Sequence, residues 1–128
     1  MRPQATISVV RVLIVDDQPF FRQAASALLA ARGYCVVGEA DCAAGAMRAV
    51  ERLTPDAVLL DIRLGDDDGC DVARALTRAH PGVAVLLVSC DDDRLRAAPR
   101  EGTGACGFVP KSRLVATDLA EFWPQAGA

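Results

Sequence analysis

Ala57-Val-Leu-Leu-Asp61 is a short, unbroken apolar run that stops on a carboxylate, and a turn-rich loop, Arg63-Leu-Gly-Asp-Asp-Asp-Gly69, follows it at once. A run of this kind reads as a strand buried on both faces, the form that parallel sheets use. The same pattern recurs on either side. Val12-Leu-Ile-Val15 stops on Asp16-Asp17, Val85-Leu-Leu-Val88 stops on Ser89, and Phe108-Val-Pro110 stops on Lys111. If these runs are parallel strands, three carboxylates, a hydroxyl and an ammonium share one rim of the sheet, where open α/β folds bind their ligands.

Strand-like and helix-like patterns alternate along the whole chain. The periodicity predicts strands over about 9–15, 34–38, 57–60, 83–88 and 105–109. Between and after them it predicts helices over 19–31, 42–53, 70–79, 92 to about 100, and 112–122. Pro19 suits a first helical turn, Phe21, Ala24, Ala25, Leu28 and Leu29 supply an apolar stripe, and Gly33 is placed to end that helix. Pro99, Gly102 and Gly104 weaken the fourth helix. Five βα units imply right-handed crossovers, and the expected architecture is a doubly wound five-stranded parallel sheet, flavodoxin-like, with strand order 2-1-3-4-5 and helices on both faces.

At 128 residues the chain suits a single domain, 1–128, with a core over about 8–123 and short tails. With 52% hydrophobic and 24% charged residues and a net charge of -3, it gives no electrostatic reason to expect direct nucleic-acid binding. No apolar stretch approaches the roughly 20 residues of a membrane span, and the N-terminus lacks a signal peptide's apolar segment, so the cytoplasm is the expected compartment. The five cysteines form no C-x-x-C pair and are expected to be small, mostly buried thiols rather than disulfide or zinc ligands. His80 stands alone before Pro81-Gly82, as a residue at a helix end.

In the order 2-1-3-4-5 the strand order reverses between the first and third strands, which would bring Asp16, Asp17 and Asp61 together. Clustered carboxylates repel one another unless a cation neutralises them, and an all-oxygen set suits Mg2+. The acidic trio therefore predicts a divalent metal. Each residue also has a plainer explanation: Asp16-Asp17 could cap the helix at Pro19, Ser89 could be a strand-end hydroxyl, and Phe108 a core aromatic. Asp66-Asp67-Asp68 and Asp91-Asp92-Asp93 read as solvated loops and caps. An EF-hand calcium loop is excluded, since Leu64 fills the first ligand position and Ala75 the place of the required Glu.

Taken together, these residues resemble the receiver domains of two-component response regulators. The family has an acidic pair after its first strand, a phospho-accepting Asp after the third, Thr or Ser after the fourth and Lys after the fifth. Asp16-Asp17, Asp61, Ser89 and Lys111 fill those places in order, and Gly107-Phe-Val-Pro-Lys-Ser112 is most similar to the subgroup that often carries a C-terminal helix-turn-helix output domain. The resemblance implies that Asp61 takes a phosphoryl group from a sensor histidine kinase, with Mg2+ (or Mn2+) held by Asp17, Asp61 and the backbone carbonyl of Arg63, and by Asp16 through water. Lys111, the sole lysine among 14 Lys+Arg residues, would hold a phosphoryl oxygen. Ser89 and Phe108 would act as the switch, remodelling the surface around the fourth helix, fifth strand and fifth helix. Arg63 and Asp91, two residues beyond Asp61 and Ser89, would modulate loss of the phosphoryl group, as an ion pair across the site.

The implied protein is a signalling switch rather than a turnover enzyme. Its partners would be the kinase and either a separate output protein or a C-terminal DNA-binding domain absent from this chain, and a homodimer is compatible with the resemblance. Two departures stand out: Gly65 occupies a position where the family usually has Pro, suggesting a looser, more acidic loop, and Ser112 replaces the frequent Pro after Lys111. Gly65 and the weak fourth helix leave a phosphorylation-independent interaction module as the alternative. A haloacid-dehalogenase-type phosphatase would need Asp-x-Asp where the chain has Asp16-Asp17-Gln18-Pro19, and an FMN binder would need a hydroxyl-rich loop there.

Overall fold

The computed structural model describes residues 9–98 and 102–123. Its central feature is a five-stranded sheet of order β2-β1-β3-β6-β7, with β1 at Arg11–Val15, β2 at Cys35–Ala40, β3 at Ala57–Asp61, β6 at Ala84–Ser89 and β7 at Gly107–Pro110. All four pairings are parallel. Numbered within this sheet alone, the order is the expected 2-1-3-4-5. The central strand β3 is buried at every residue, as a strand covered on both faces must be.

Alternate residues divide the core into two layers. Leu13, Val15, Val58, Leu60, Val85 and Leu87 face α2 (Ala43–Leu53) and α3 (Gly69–Ala79), whose Ala46, Val50, Ala73 and Leu76 close that layer. Val12, Ile14, Leu59, Leu86 and Val88 face the other way, onto Ala25 and Leu29 of α1 (Pro19–Ala31) and onto Leu114, Leu119 and Trp123. Each fully buried Leu or Val contributes about 1.5–3 kcal/mol, which fixes the strand register and hence the rim at the strand ends.

Four expectations about the fold need correction. The fifth helix, expected over 112–122, is replaced by two short 3-10 turns, Lys111–Ala116 and Leu119–Glu121. Thr117 between them is extended, and its hydroxyl donates back to the Arg113 carbonyl at 2.7 Å. Asp118 then accepts from the Ala120 amide at 3.1 Å and starts a new turn. Arg32 donates to the carbonyls of Thr117, at 2.7 Å, and of Val115, occupying acceptors that a continuous helix would use.

The fourth helix, α4, covers only Asp92–Ala97, and positions 99–101, including Pro99, lie outside the described residues. The loop after Asp61 is not loose: Arg63–Leu64 (β4) and Asp67–Asp68 (β5) pair antiparallel around the two-residue turn Gly65-Asp66. The thiols also differ from expectation, because only Cys70 is buried while Cys35, Cys90 and Cys106 are exposed and Cys42 is half-buried. His80 sits at the end of α3, as expected.

Candidate functional site

Asp61 ends β3 and is only 6% exposed, and Asp16, just past β1, is fully buried. The Asp16 backbone is fixed from two sides. Its amide donates to the Ala40 carbonyl at 3.0 Å, and its carbonyl accepts from Arg22 at 2.7 Å, while Arg22 also pairs with Glu39 at 2.9 Å. The Asp16 side chain accepts from the Gln18 amide at 2.8 Å. Asp17 is the exposed member of the trio. Each of the three acids offers one oxygen within 4.8 Å of the others, so the switch point brings together the carboxylates that the sequence singles out.

Lys111 follows the last residue of β7 and reaches back into this cluster. Its Nζ lies 2.6 Å from Oδ2 of Asp16 and 3.1 Å from Oδ2 of Asp61, and sits 4.2 Å from the centroid of the Phe21 ring. The Arg63 amide donates to the other Asp61 oxygen at 3.1 Å. Burial pushes the Asp61 carboxyl up to about 6, against the lowering effect of the Arg63 amide and the Lys111 charge; the charge of Asp16 raises it further. Burial works against the Lys111 ammonium, but hydrogen bonding to Asp16 and the charges of Asp61 and Asp16 outweigh it, and its pKa lies above the ordinary lysine value.

The donor set is made only of oxygen and carries more negative charge than one lysine offsets, which fits a hard divalent cation such as Mg2+ or Mn2+. The hairpin also presents backbone toward the acids. Because Leu64 and Asp67 flank the two-residue turn and pair with each other, the N–H and C=O of the preceding residue, Arg63, turn away from the partner strand. The Arg63 amide does point to Asp61. Gly69 presses against the same segment: a Cβ there would lie 2.1 Å from the Asp61 carbonyl oxygen.

Ser89 ends β6, is buried, and its hydroxyl oxygen accepts from the Asp91 amide at 3.0 Å. Phe108 is half-buried and packs on the core layer beneath α2 and α3, beside Leu87 in the strand register. Asp17, Asp61, Arg63, Ser89, Asp91 and Arg94 line one cavity of about 370 Å³. The expected ion pair between Arg63 and Asp91 does not form. The Asp91 carboxylate instead accepts from the amides of Asp93 and Arg94, at 2.9 and 3.2 Å, and lies 3.5 Å from the Arg94 guanidinium. Capping its own helix is the nearer and therefore the cheaper use of that carboxylate.

Sequence reasoning missed Arg94, Phe21 and the grip of the hairpin on the acids. Only the hairpin had a readable signal, since Gly-Asp between two short runs is a recognised two-residue hairpin turn.

The model of the response regulator receiver domain family matches residues 12–119. Among curated proteins, the chain is 32% identical over 105 residues to the response regulator GacA of Pseudomonas aeruginosa, covering 80% of this chain and 49% of that one. It is 30% identical over 112 residues to the transcriptional regulatory protein DegU of Brevibacillus brevis, covering 87% of this chain and 48% of that one. The chain thus spans about half the length of these curated relatives. Among solved structures, a LuxR-family two-component response regulator from Aurantimonas superimposes with a TM-score of 0.74 at 32% identity, covering 85% of this chain and 79% of that one. With a parallel sheet of matching order and a family match across most of its length, the chain belongs to the response regulator receiver domains of two-component systems.

Proposed function

We propose that this receiver domain is a phosphoryl-accepting switch in which Asp61 is the acceptor. The observation that carries the proposal is the convergence of Asp61, Lys111 and the acidic pair at one rim, with Lys111 ion-paired to both Asp61 and Asp16. In the reaction an Asp61 carboxylate oxygen attacks the phosphorus of a phosphohistidine on a sensor kinase. A new O–P bond forms, the P–N bond breaks, and its electron pair returns to the imidazole, leaving an aspartyl phosphate.

Asp17, Asp61 and the Arg63 carbonyl would hold Mg2+ or Mn2+, with Asp16 acting through water. When bound, the cation supplies the positive charge that lets two anions approach. Lys111 would neutralise a phosphoryl oxygen. Burial around Asp61 keeps bulk water away from the acyl phosphate, and Arg63 and Asp91, on the cavity wall, limit its access further.

Ser89 already uses a lone pair to hold the Asp91 amide, which leaves its proton to donate to the phosphoryl group. Drawing Ser89 inward pulls the first residues of α4 with it. Phe108 responds by moving further into the core layer it already touches. The surface that changes is formed by α4, β7 and the 3-10 turns that stand in place of a fifth helix. Its reader is an output module such as the DNA-binding domain of a transcriptional regulator, the class to which the DegU relative belongs by name.

The test is incubation with acetyl phosphate and Mg2+, followed by intact-mass measurement. Wild type should gain one phosphoryl group, and neither Asp61→Asn nor wild type without divalent metal should gain any. Unmodified wild type, with no detectable Mg2+ binding, would refute the proposal.

A further inference from the structure

We infer that Gly65 is a positioning residue for the metal site: its backbone amide, presented by the hairpin after Asp61, orients the Asp17 carboxylate for a divalent cation. The inference rests on the proposed metal-binding role of Asp17.

The Gly65 amide donates to Oδ2 of Asp17 at 3.1 Å, across 48 positions of sequence. It can do so because of the turn it sits in. Gly65 has a φ of +57°, Asp66 does not have a positive φ, and Leu64 pairs with Asp67 on either side, which is the arrangement of a type II′ hairpin with glycine first. A proline, common at this position in the family, lacks both the N–H and access to positive φ. The substitution that looked like a weakened loop thus creates a donor that the usual residue cannot provide.

The hairpin grips the site at more than one point. The amides of Arg63 and Gly65, two residues apart, reach Asp61 and Asp17 respectively. On the other strand, the Asp67 carboxylate accepts from the Ala43 amide at the start of α2, at 3.1 Å, and Asp68 accepts from the Cys70 amide at 2.8 Å at the start of α3. The turn is therefore anchored to two helices, and the Gly65 amide is held in place rather than following Asp17.

This matters most for Asp17 because it is the exposed acid. Asp16 and Asp61 are immobilised by burial and by Lys111, whereas a solvated carboxylate loses rotamer freedom when it takes a cation. An amide that fixes one oxygen in advance removes part of that cost, as outer-sphere hydrogen bonds to metal ligands commonly do.

The test measures Mn2+ and Mg2+ dissociation constants by calorimetry on the whole 128-residue chain, for wild type, Gly65→Asn and Gly65→Pro, alongside their metal-free melting temperatures. Asparagine tolerates positive φ and keeps the amide, so Gly65→Asn should bind within a few-fold of wild type. Gly65→Pro should bind about tenfold more weakly or worse, and its metal-free melting temperature should fall as well, because proline cannot take the positive φ of this turn. Equal affinity in Gly65→Pro, or a loss in Gly65→Asn as large as in Gly65→Pro, overturns the inference. If Gly65→Pro does not fold, amide exchange decides: Asp17→Ala, which removes the acceptor, should expose the Gly65 amide and leave the Arg63 amide protected, and unchanged protection of Gly65 overturns the inference. Wild type that binds neither ion would instead overturn the metal-binding proposal itself.

Discussion

Lys111 Nζ lies 3.1 Å from Oδ2 of Asp61, in a place where each side chain is only 8% exposed. The same ammonium reaches Asp16 at 2.6 Å, so a single lysine pairs with two buried carboxylates. Removing it strands both charges. Lys111→Ala should destabilise the metal-free domain by about 3–5 kcal/mol, the usual cost of breaking a buried pair from one side. Mg2+ should restore part of the loss, because the cation takes over the neutralisation. Urea unfolding with and without Mg2+ checks both statements; a variant as stable as wild type without metal would contradict them.

Asp61 makes the metal-free domain sensitive to pH. Its carboxyl is raised from an ordinary 3.8 to about 6, chiefly by burial, so the folded state holds the proton more tightly than the unfolded chain does. The resulting stability is fully present below about 3.8 and is lost as pH rises through about 6, a contribution of at most about 3 kcal/mol. Comparison with Asp61→Asn isolates it, since other carboxylates titrate in both proteins. The wild-type stability should fall relative to Asp61→Asn between pH 4 and 7, roughly the interval bounded by those two pKa values. Parallel curves would contradict the expectation.

Gly69 meets the chain at the foot of the acceptor loop, where an added methyl would lie 2.1 Å from the Asp61 carbonyl and 2.7 Å from the Ile62 Cα. Both are backbone atoms and cannot swing aside. Gly69→Ala should cost about 1–3 kcal/mol and displace the residues that carry the acceptor. Chemical denaturation measures the first effect, and slower phosphorylation by acetyl phosphate measures the second.

The strand ends were legible because burial leaves a plain signature. A strand covered on both faces must be apolar throughout, so Ala57–Leu60 and Val85–Val88 announce themselves, and the loaded residues that follow are conspicuous by contrast. Helix α1 was legible to the residue from Pro19 and its apolar stripe. The segment from Ser112 to Phe122 was not, because its apolar spacing fits a helix while its actual form depends on Arg32, more than 80 positions away, binding the Val115 and Thr117 carbonyls. Asp91 shows a similar limit: its charge invited a partner across the site, and the nearest amides of its own helix took it instead. Gly65 carried a readable turn signal, but comparison with the usual proline made it look like a defect. The exposed thiols Cys35, Cys90 and Cys106 could not be anticipated from residue type, since cysteine's tendency to be buried says nothing about a strand edge or a loop.

The clamp by Arg32 also makes a prediction for the far end of the fold. Trp123 is buried and meets Tyr34 edge-on at 5.5 Å between ring centroids, just beyond the segment Arg32 holds. Arg32→Ala should destabilise the domain by about 1–2 kcal/mol through loss of two charge-assisted hydrogen bonds. As Trp123 is the sole tryptophan, its fluorescence reports the change: emission should shift to the red in the folded variant. An unchanged spectrum would show that the 3-10 turns hold without the clamp.

The proposed switch requires that a carboxylate oxygen of Asp61 form the new bond to phosphorus. Reductive trapping of the acyl phosphate with borohydride, after reaction with acetyl phosphate and Mg2+, converts the modified aspartate into a stable product whose position peptide mass spectrometry can read. The expected result is a single trapped residue, Asp61, absent when Mg2+ is withheld. Trapping at Asp16 or Asp17, or no trapped aspartate in protein that binds Mg2+, would contradict it.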